Sequence, residues 1–117
     1  MENLAKRKCV PCEGGIPPLS DEKIKEFHSE VVDWSVEEES GHKQIAKEFK
    51  FKSFKEAVAF INKVARVAES EGHHPDIYIF YNKVRLVLYT HAIGGLHDND
   101  FILAAKIDRL SDLRLST

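Results

Sequence analysis

Residues 53–75 constrain the fold more than any other stretch of the chain. Ser53 followed by Glu56 fits a capping box, in which a hydroxyl and a carboxylate satisfy N–H groups that a helix start leaves without partners. Phe54, Ala57, Val58, Ile61, Val64, Ala65 and Ala68 then recur at i, i+3, i+4 and i+7 spacing, which predicts a long central helix with one apolar stripe. Gly72 supplies a left-handed stop, and Pro75 prevents the helix from resuming. Two adjacent histidines, His73 and His74, therefore lie just past a helix end. Pro75 biases His74 towards extended backbone, so the two rings diverge and are placed to frame a flat ligand from different directions.

Strand and helix signals surround this element. Ser20 is a candidate N-cap, Asp21 and Glu22 complement the positive end of a helix dipole, and Ile24, Phe27 and Val31 recur at helical spacing, giving a first helix over 21–31. Alternating apolar and charged residues over 34–39 and 44–51, with Ser40-Gly41 between them, predict an antiparallel hairpin with one wet face and a solvated His42 near its turn. The β-branched and aromatic runs 77–81 and 84–91, separated by Asn82-Lys83, read as a second hairpin. His91 closes its second strand, on the same side as Arg85, Val87 and Tyr89 and opposite Leu86, Leu88 and Thr90. Both sides carry apolar residues, so the second face of the sheet is expected to be covered as well. After Gly94-Gly95, His97 or Asp98 caps a last helix with Leu103, Ala104, Ile107 and Leu110 on one face.

The 117 residues, 43% of them hydrophobic, suit one domain with a modest core: an irregular arm over 1–19 and a single unit over 20–117. A formal net charge of -2 gives no field to draw in nucleic acid or an anionic membrane. No apolar stretch approaches the roughly 20 residues that span a bilayer, and the N-terminal segment lacks a signal-peptide core, so a cytoplasmic location is expected. Cys9 and Cys12 form one Cys-x-x-Cys pair, two ligands short of a closed zinc site, in an arm whose glycines and prolines oppose regular structure.

His73, His74 and His91 gather at element ends, and imidazoles both give and accept protons near neutral pH. Asp100 falls three and four residues before Leu103 and Ala104, on the core-facing side of the last helix. Its carboxylate is either a first-turn acid satisfied by backbone N–H groups or the partner of an imidazole.

The string Glu69-x-x-x-His73-His74-Pro75, the aromatic Tyr81, His91 and Asp100 together resemble the signature of the pterin-4a-carbinolamine dehydratases. Trp34, the run Phe49-x-Phe51-x-x-Phe54 and the turn Tyr81-Asn82-Lys83-Val84 are similar to that family too, so the resemblance covers nearly the whole domain. It implies an α+β fold of order α-β-β-α-β-β-α, with a four-stranded antiparallel sheet carrying helices on one face, and homodimers that pair into tetramers. It also implies dehydration of a 4a-hydroxytetrahydropterin to a quinonoid dihydropterin, with the pterin as substrate and neither cofactor nor metal. By matching positions it gives His73 and His91 the main acid-base roles, has His74 position the pterin and contribute to catalysis, and makes Asp100 the acid that orients a histidine. Glu69, Gly72, Tyr89 and Thr90 join the histidines around the substrate.

Gly72 stands where many animal members carry an acid, so polar contacts of that side chain do not carry over. The transcription-factor partner of the animal members finds no support in these residues. Three alternatives stay open at this point: a three-histidine metal site, a non-catalytic interaction module, and the same site serving molybdopterin metabolism.

Overall fold

The computed structural model describes residues 3–11 and 14–115, with side chains through Leu110, so Cys12 lies outside the described residues. The elements run α1 (Asp21–His28), β1 (Ser35–Glu39), β2 (His42–Lys50), α2 (Phe54–Glu71), β3 (Asp76–Phe80), β4 (Lys83–Leu88) and α3 (Asp98–Leu115), with short 3-10 turns at Leu4–Lys6 and His91–Ile93. This is the expected α-β-β-α-β-β-α order. The strands form one antiparallel sheet of order β1-β2-β4-β3, so the two hairpins are joined by pairing of β2 with β4.

The helix starts are capped as their sequences dictate. The Lys23 N–H donates to the Ser20 hydroxyl and the Glu56 N–H to that of Ser53, while Glu56 reaches back to the Lys52 N–H. α1 ends at His28, before the expected Val31, because a series of tight i to i+3 turns takes over: Val31 N–H to His28, then Trp34 N–H to Val31. Those turns drop Val31 and Trp34 into the core, both essentially inaccessible.

The buried side of α2 is rotated from the expected stripe. Ala57, Phe60, Val64 and Ala68 are buried, whereas Phe54 is 51% exposed and Ala65 is exposed. Phe60 wins the inward position because its ring packs between those of Phe49 and Phe51, at centroid distances of 4.8 and 5.1 Å. Burial of such a ring stabilises the fold by roughly 1.5–3 kcal/mol. Across the sheet's inner face Ile45 pairs with Leu88 and Phe49 with Val84, and all four join one core with Trp34, Val64, Phe101 and Ile107. At the rim of that core Asp108 accepts both the Trp34 indole N–H and the Lys47 ammonium, tying β2 to α3.

Two expectations fail on the sheet. Ala46 and Val87 point away from the helices and stand outside the core cluster, and among the described residues no helix covers that outer face. They are buried by neighbours on the sheet itself, where Arg85 reaches across to Glu37 at 2.7 Å. Moreover β4 stops at Leu88, so His91 does not close the strand. Thr90 instead bridges to Gly95, its N–H donating to the Gly95 carbonyl at 2.8 Å, and Gly94 at φ 63 closes the turn that begins with His91.

The N-terminal arm runs along α3. Leu4 is fully buried in the common core, its N–H bonded to Glu30; Lys106 donates to the Ala5 carbonyl, and Arg7 pairs with Asp98.

Candidate active site

The end of α2 fixes the first histidine. Gly72 adopts the left-handed conformation, with φ 67 and ψ 25, that a side chain at this position resists. Its N–H donates to the Glu69 carbonyl while the His73 N–H donates to that of Ala68, the double closure that ends a helix on a left-handed residue. His73 thereby leaves α2 with its backbone anchored and its ring turned inward, where Nε2 lies 2.6 Å from Oδ1 of Asp100.

Asp100 is wholly buried and its carboxylate has three donors. Besides His73, the Thr90 hydroxyl and the His97 N–H both donate to Oδ2 at 2.9 Å. The bond to His97 closes a capping box at the start of α3 in which histidine replaces the usual serine: the His97 ring Nδ1 accepts the Asn99 N–H at 3.0 Å. Both readings of Asp100 therefore hold at once. It is a first-turn helix acid, and it is the partner of an imidazole.

An ionised Asp100 can only accept from His73, which puts the proton of this bond on Nε2 and leaves Nδ1 as the acceptor of the neutral ring. Three partners converge on the buried carboxyl, so its oxygens keep hydrogen bonds away from water.

The other expected residues surround the same hollow to different degrees. A pocket of about 330 Å³ is lined by His73, His74, Tyr89, Thr90 and His91, with Gly72, Pro75, Asp76, Asn99 and Val10. The two neighbouring rings do diverge in their partners: His73 faces buried Asp100, while His74 is exposed and bonds to the equally exposed Glu69 at 2.8 Å. Glu69 thus acts on the pocket through His74 and does not line it. The hydroxyl of Thr90 is directed at Asp100 beneath the pocket, so its proton does not face the hollow. His91 lines the pocket and is exposed, and its ring lies against that of Tyr89 at 4.1 Å, so the expected common side of these two residues survives the end of the strand.

Sequence reasoning passed over Asn99 and Val10, and read His42 only as a solvated residue near a turn. Asn99 is buried, and its side chain grips the arm in both directions, accepting the Val10 N–H at 2.9 Å and donating to the Val10 carbonyl at 2.6 Å. Cys9 is pinned alongside, its N–H on Glu71. Burial, and then the Glu71 carboxylate, push its thiol up to about 12, which keeps it protonated and unreactive. Nothing local to Asn99 advertises this grip, because its partner is far away in the chain. Among the described residues no three His, Cys, Asp or Glu side chains are arranged to hold a metal ion, and no helix is long and apolar enough to cross a membrane.

Similarity to known proteins follows the same outline. A relative from Alkaliphilus metalliredigens is 46% identical over 110 residues, covering 93% of this chain and 96% of its own, and carries the name pterin-4-alpha-carbinolamine dehydratase provisionally. One from Nitrosospira multiformis with the same provisional name is 47% identical over 110 residues, covering 94% of each chain. Among solved structures, the transcriptional coactivator/pterin dehydratase from Brucella melitensis superposes with a TM-score of 0.71 at 30% identity, over 80% of this chain and 97% of that one. A pterin dehydratase-like protein, a RuBisCO assembly factor of the alpha-carboxysome, shares the fold at 24% identity and a TM-score of 0.57, over 68% of this chain and 89% of that one. Residues 17–110, which hold every one of the pocket's histidines and Asp100, match the family model for pterin 4 alpha carbinolamine dehydratase, and the chain belongs to that family.

Proposed function

We propose that the protein dehydrates a 4a-hydroxytetrahydropterin to the quinonoid dihydropterin by histidine acid-base catalysis. In this reaction a general acid protonates the departing 4a-hydroxyl, the C4a–O bond breaks, and a base removes a ring N–H proton as the C=N bond forms. Water leaves and no electrons are exchanged, so two imidazoles suffice. The observation that carries the reading is the 2.6 Å bond between His73 and buried Asp100 at a pocket that His91 also lines. Asp100 holds the proton of His73 on Nε2, which suits Nδ1 to the role of base and leaves His91, whose ring is open to solvent, as acid. Exposed His74 positions the pterin, steadied by Glu69.

On this reading the protein serves the recycling of a tetrahydropterin after an aromatic amino acid hydroxylation, in the cytoplasm. The same site serving molybdopterin metabolism is the alternative, and both share the chemistry tested here. Assembly into homodimers or tetramers through the sheet edge belongs to the same reading: β3 is an outer strand whose residues are all exposed, Phe80 at 60% and Tyr78 at 47%.

The test is the rate at which purified protein accelerates dehydration of a freshly generated 4a-hydroxytetrahydropterin, followed by ultraviolet absorbance with EDTA present. Replacing His73 and His91 together by Ala should lower turnover by about 10² to 10⁴ while the protein stays folded. Unchanged turnover in the folded double variant would end the mechanism.

A further inference from the structure

We infer that His42 is a positioning residue for His91, acting through Tyr89; the inference rests on the acid-base reading above. His42 was expected to be a solvated residue near a turn, yet it is half-buried, and its ring stacks on Tyr89 with centroids 3.9 Å apart and planes 23° from parallel. The Tyr89 ring also lies against that of His91, at 4.1 Å and 31°. Tyr89 is thus held between two imidazoles, one in the pocket and one on the outer face of the sheet. Offset aromatic stacking at such distances is attractive and directional.

The outer imidazole is itself anchored. Its Nε2 lies 3.2 Å from Oε1 of Gln44, whose amide donates to Oε1 of Glu37 at 3.0 Å, and Glu37 is clamped by Arg85 at 2.7 and 3.3 Å. Gln44 is buried and its amide has both ends occupied, so its orientation is fixed, and it accepts from the N–H of His42. A chain of contacts therefore runs from an ion pair on the open sheet, through His42 and Tyr89, to a pocket histidine whose ring makes no hydrogen bond among the described residues. His73 is oriented by a carboxylate; His91 is oriented by a stack. An imidazole free to rotate about its side-chain bonds spends only part of its time in reach of a departing hydroxyl, and that fraction scales turnover.

The experiment compares His42→Leu, which fills similar space without a ring, with His42→Phe, which restores the ring without the N–H. Two quantities are read on each folded protein: the ring proton shifts of His91 by NMR, and kcat and KM for the hydroxypterin. In His42→Leu the His91 signals should lose their stacking shift and kcat should fall about fivefold with KM changed less than twofold, and His42→Phe should recover most of both. His91 signals identical in His42→Leu and the parent would overturn the inference, as would displaced signals with unchanged kcat. Because the NMR readout needs no substrate, a parent protein without dehydratase activity would refute the proposed reaction while the shifts still decide whether the stack exists.

Discussion

Asp100→Asn separates the structural and chemical duties of the buried carboxylate. Three donors converge on Asp100: His73 Nε2 at 2.6 Å, and the Thr90 hydroxyl and His97 N–H at 2.9 Å. An asparagine oxygen can accept from two of them, and its amide must donate on the remaining side. The His97 N–H has no other way to turn, so the oxygen stays on the Thr90 and His97 side and the amide faces His73. The imidazole then has to accept at Nε2 and move its proton to Nδ1, the reverse of the parent tautomer. Two bonds change from charged to neutral acceptors, a loss of about 1 kcal/mol each, partly offset because a buried charge is removed. A net destabilisation of about 1–2 kcal/mol corresponds to a fall in Tm of about 4–8 °C. The chemical effect is larger: with Nδ1 protonated the ring is no longer a base, and kcat should drop by about 10²-fold or more with little change in KM. Stopped-flow ultraviolet absorbance measures the rate, circular dichroism the fold, and nitrogen-15 shifts of His73 the tautomer. A folded variant turning over within twofold of the parent would refute the assignment of Asp100 to histidine orientation and leave it a helix-capping acid alone.

Three further outcomes follow from the geometry. Asn99→Ala leaves the Val10 N–H and carbonyl without their side-chain partners, at a cost of about 1–3 kcal/mol; amide exchange should rise at Val10 and Cys9 ahead of the core, and unchanged protection there would show that the arm is held by other means. In a Cys12→Ser background, Cys9 should be alkylated at pH 8 at least about a hundredfold more slowly when folded than in urea, since burial and Glu71 hold its thiol near 12. Equal rates in the two states would refute that placement. The carboxyl of Glu37 is held below its ordinary range by hydrogen bonds from Arg85, opposed by burial and helped by Gln44 and Ser35. Its contribution is therefore present above the ordinary carboxylate pKa of about 4.3 and lost as pH falls through the lower folded value. Urea titrations should show Glu37→Gln less stable than the parent at pH 7, with the gap closing as pH falls below the ordinary carboxylate range; a gap unchanged in acid would point to packing and not charge.

The sheet and helix order was legible because it rests on local signals: capping serines at 20 and 53, a helical apolar repeat, a left-handed glycine at 72 and alternating strands. What failed were choices settled by distant partners. The inward face of α2 is decided by Phe60 meeting Phe49 and Phe51 from β2 and its end, which periodicity alone cannot rank above Phe54. The early end of β4 follows from the Thr90 bridge to Gly95, whose glycines were read only as a turn. At the site, His73, His91 and Asp100 stood out by residue type, but the grip of Asn99 on the arm and the place of His42 did not. The latter depends on β2 pairing with β4, a contact between two hairpins that neither hairpin's own sequence specifies.

The two histidines of the proposed acid-base pair are consequently held by different means. On the His73 side, a single carboxylate closes the start of α3, ties down Thr90 and orients the imidazole, so that wall cannot loosen without fraying a helix packed into the core. Such preorganisation suits a group whose proton must sit on one chosen nitrogen before the substrate arrives. His91, by contrast, begins a 3-10 turn that left-handed Gly94 closes, and its ring is held by contact with that of Tyr89 and not by a hydrogen bond among the described residues. On the proposed reading, adjustment to a bound pterin falls on exposed His74, while His73 stays where the fold has put it. The proposed acid, His91, is in reach of a departing hydroxyl only while its ring stays on that of Tyr89, so loss of the His42 ring should show in kcat and not in KM.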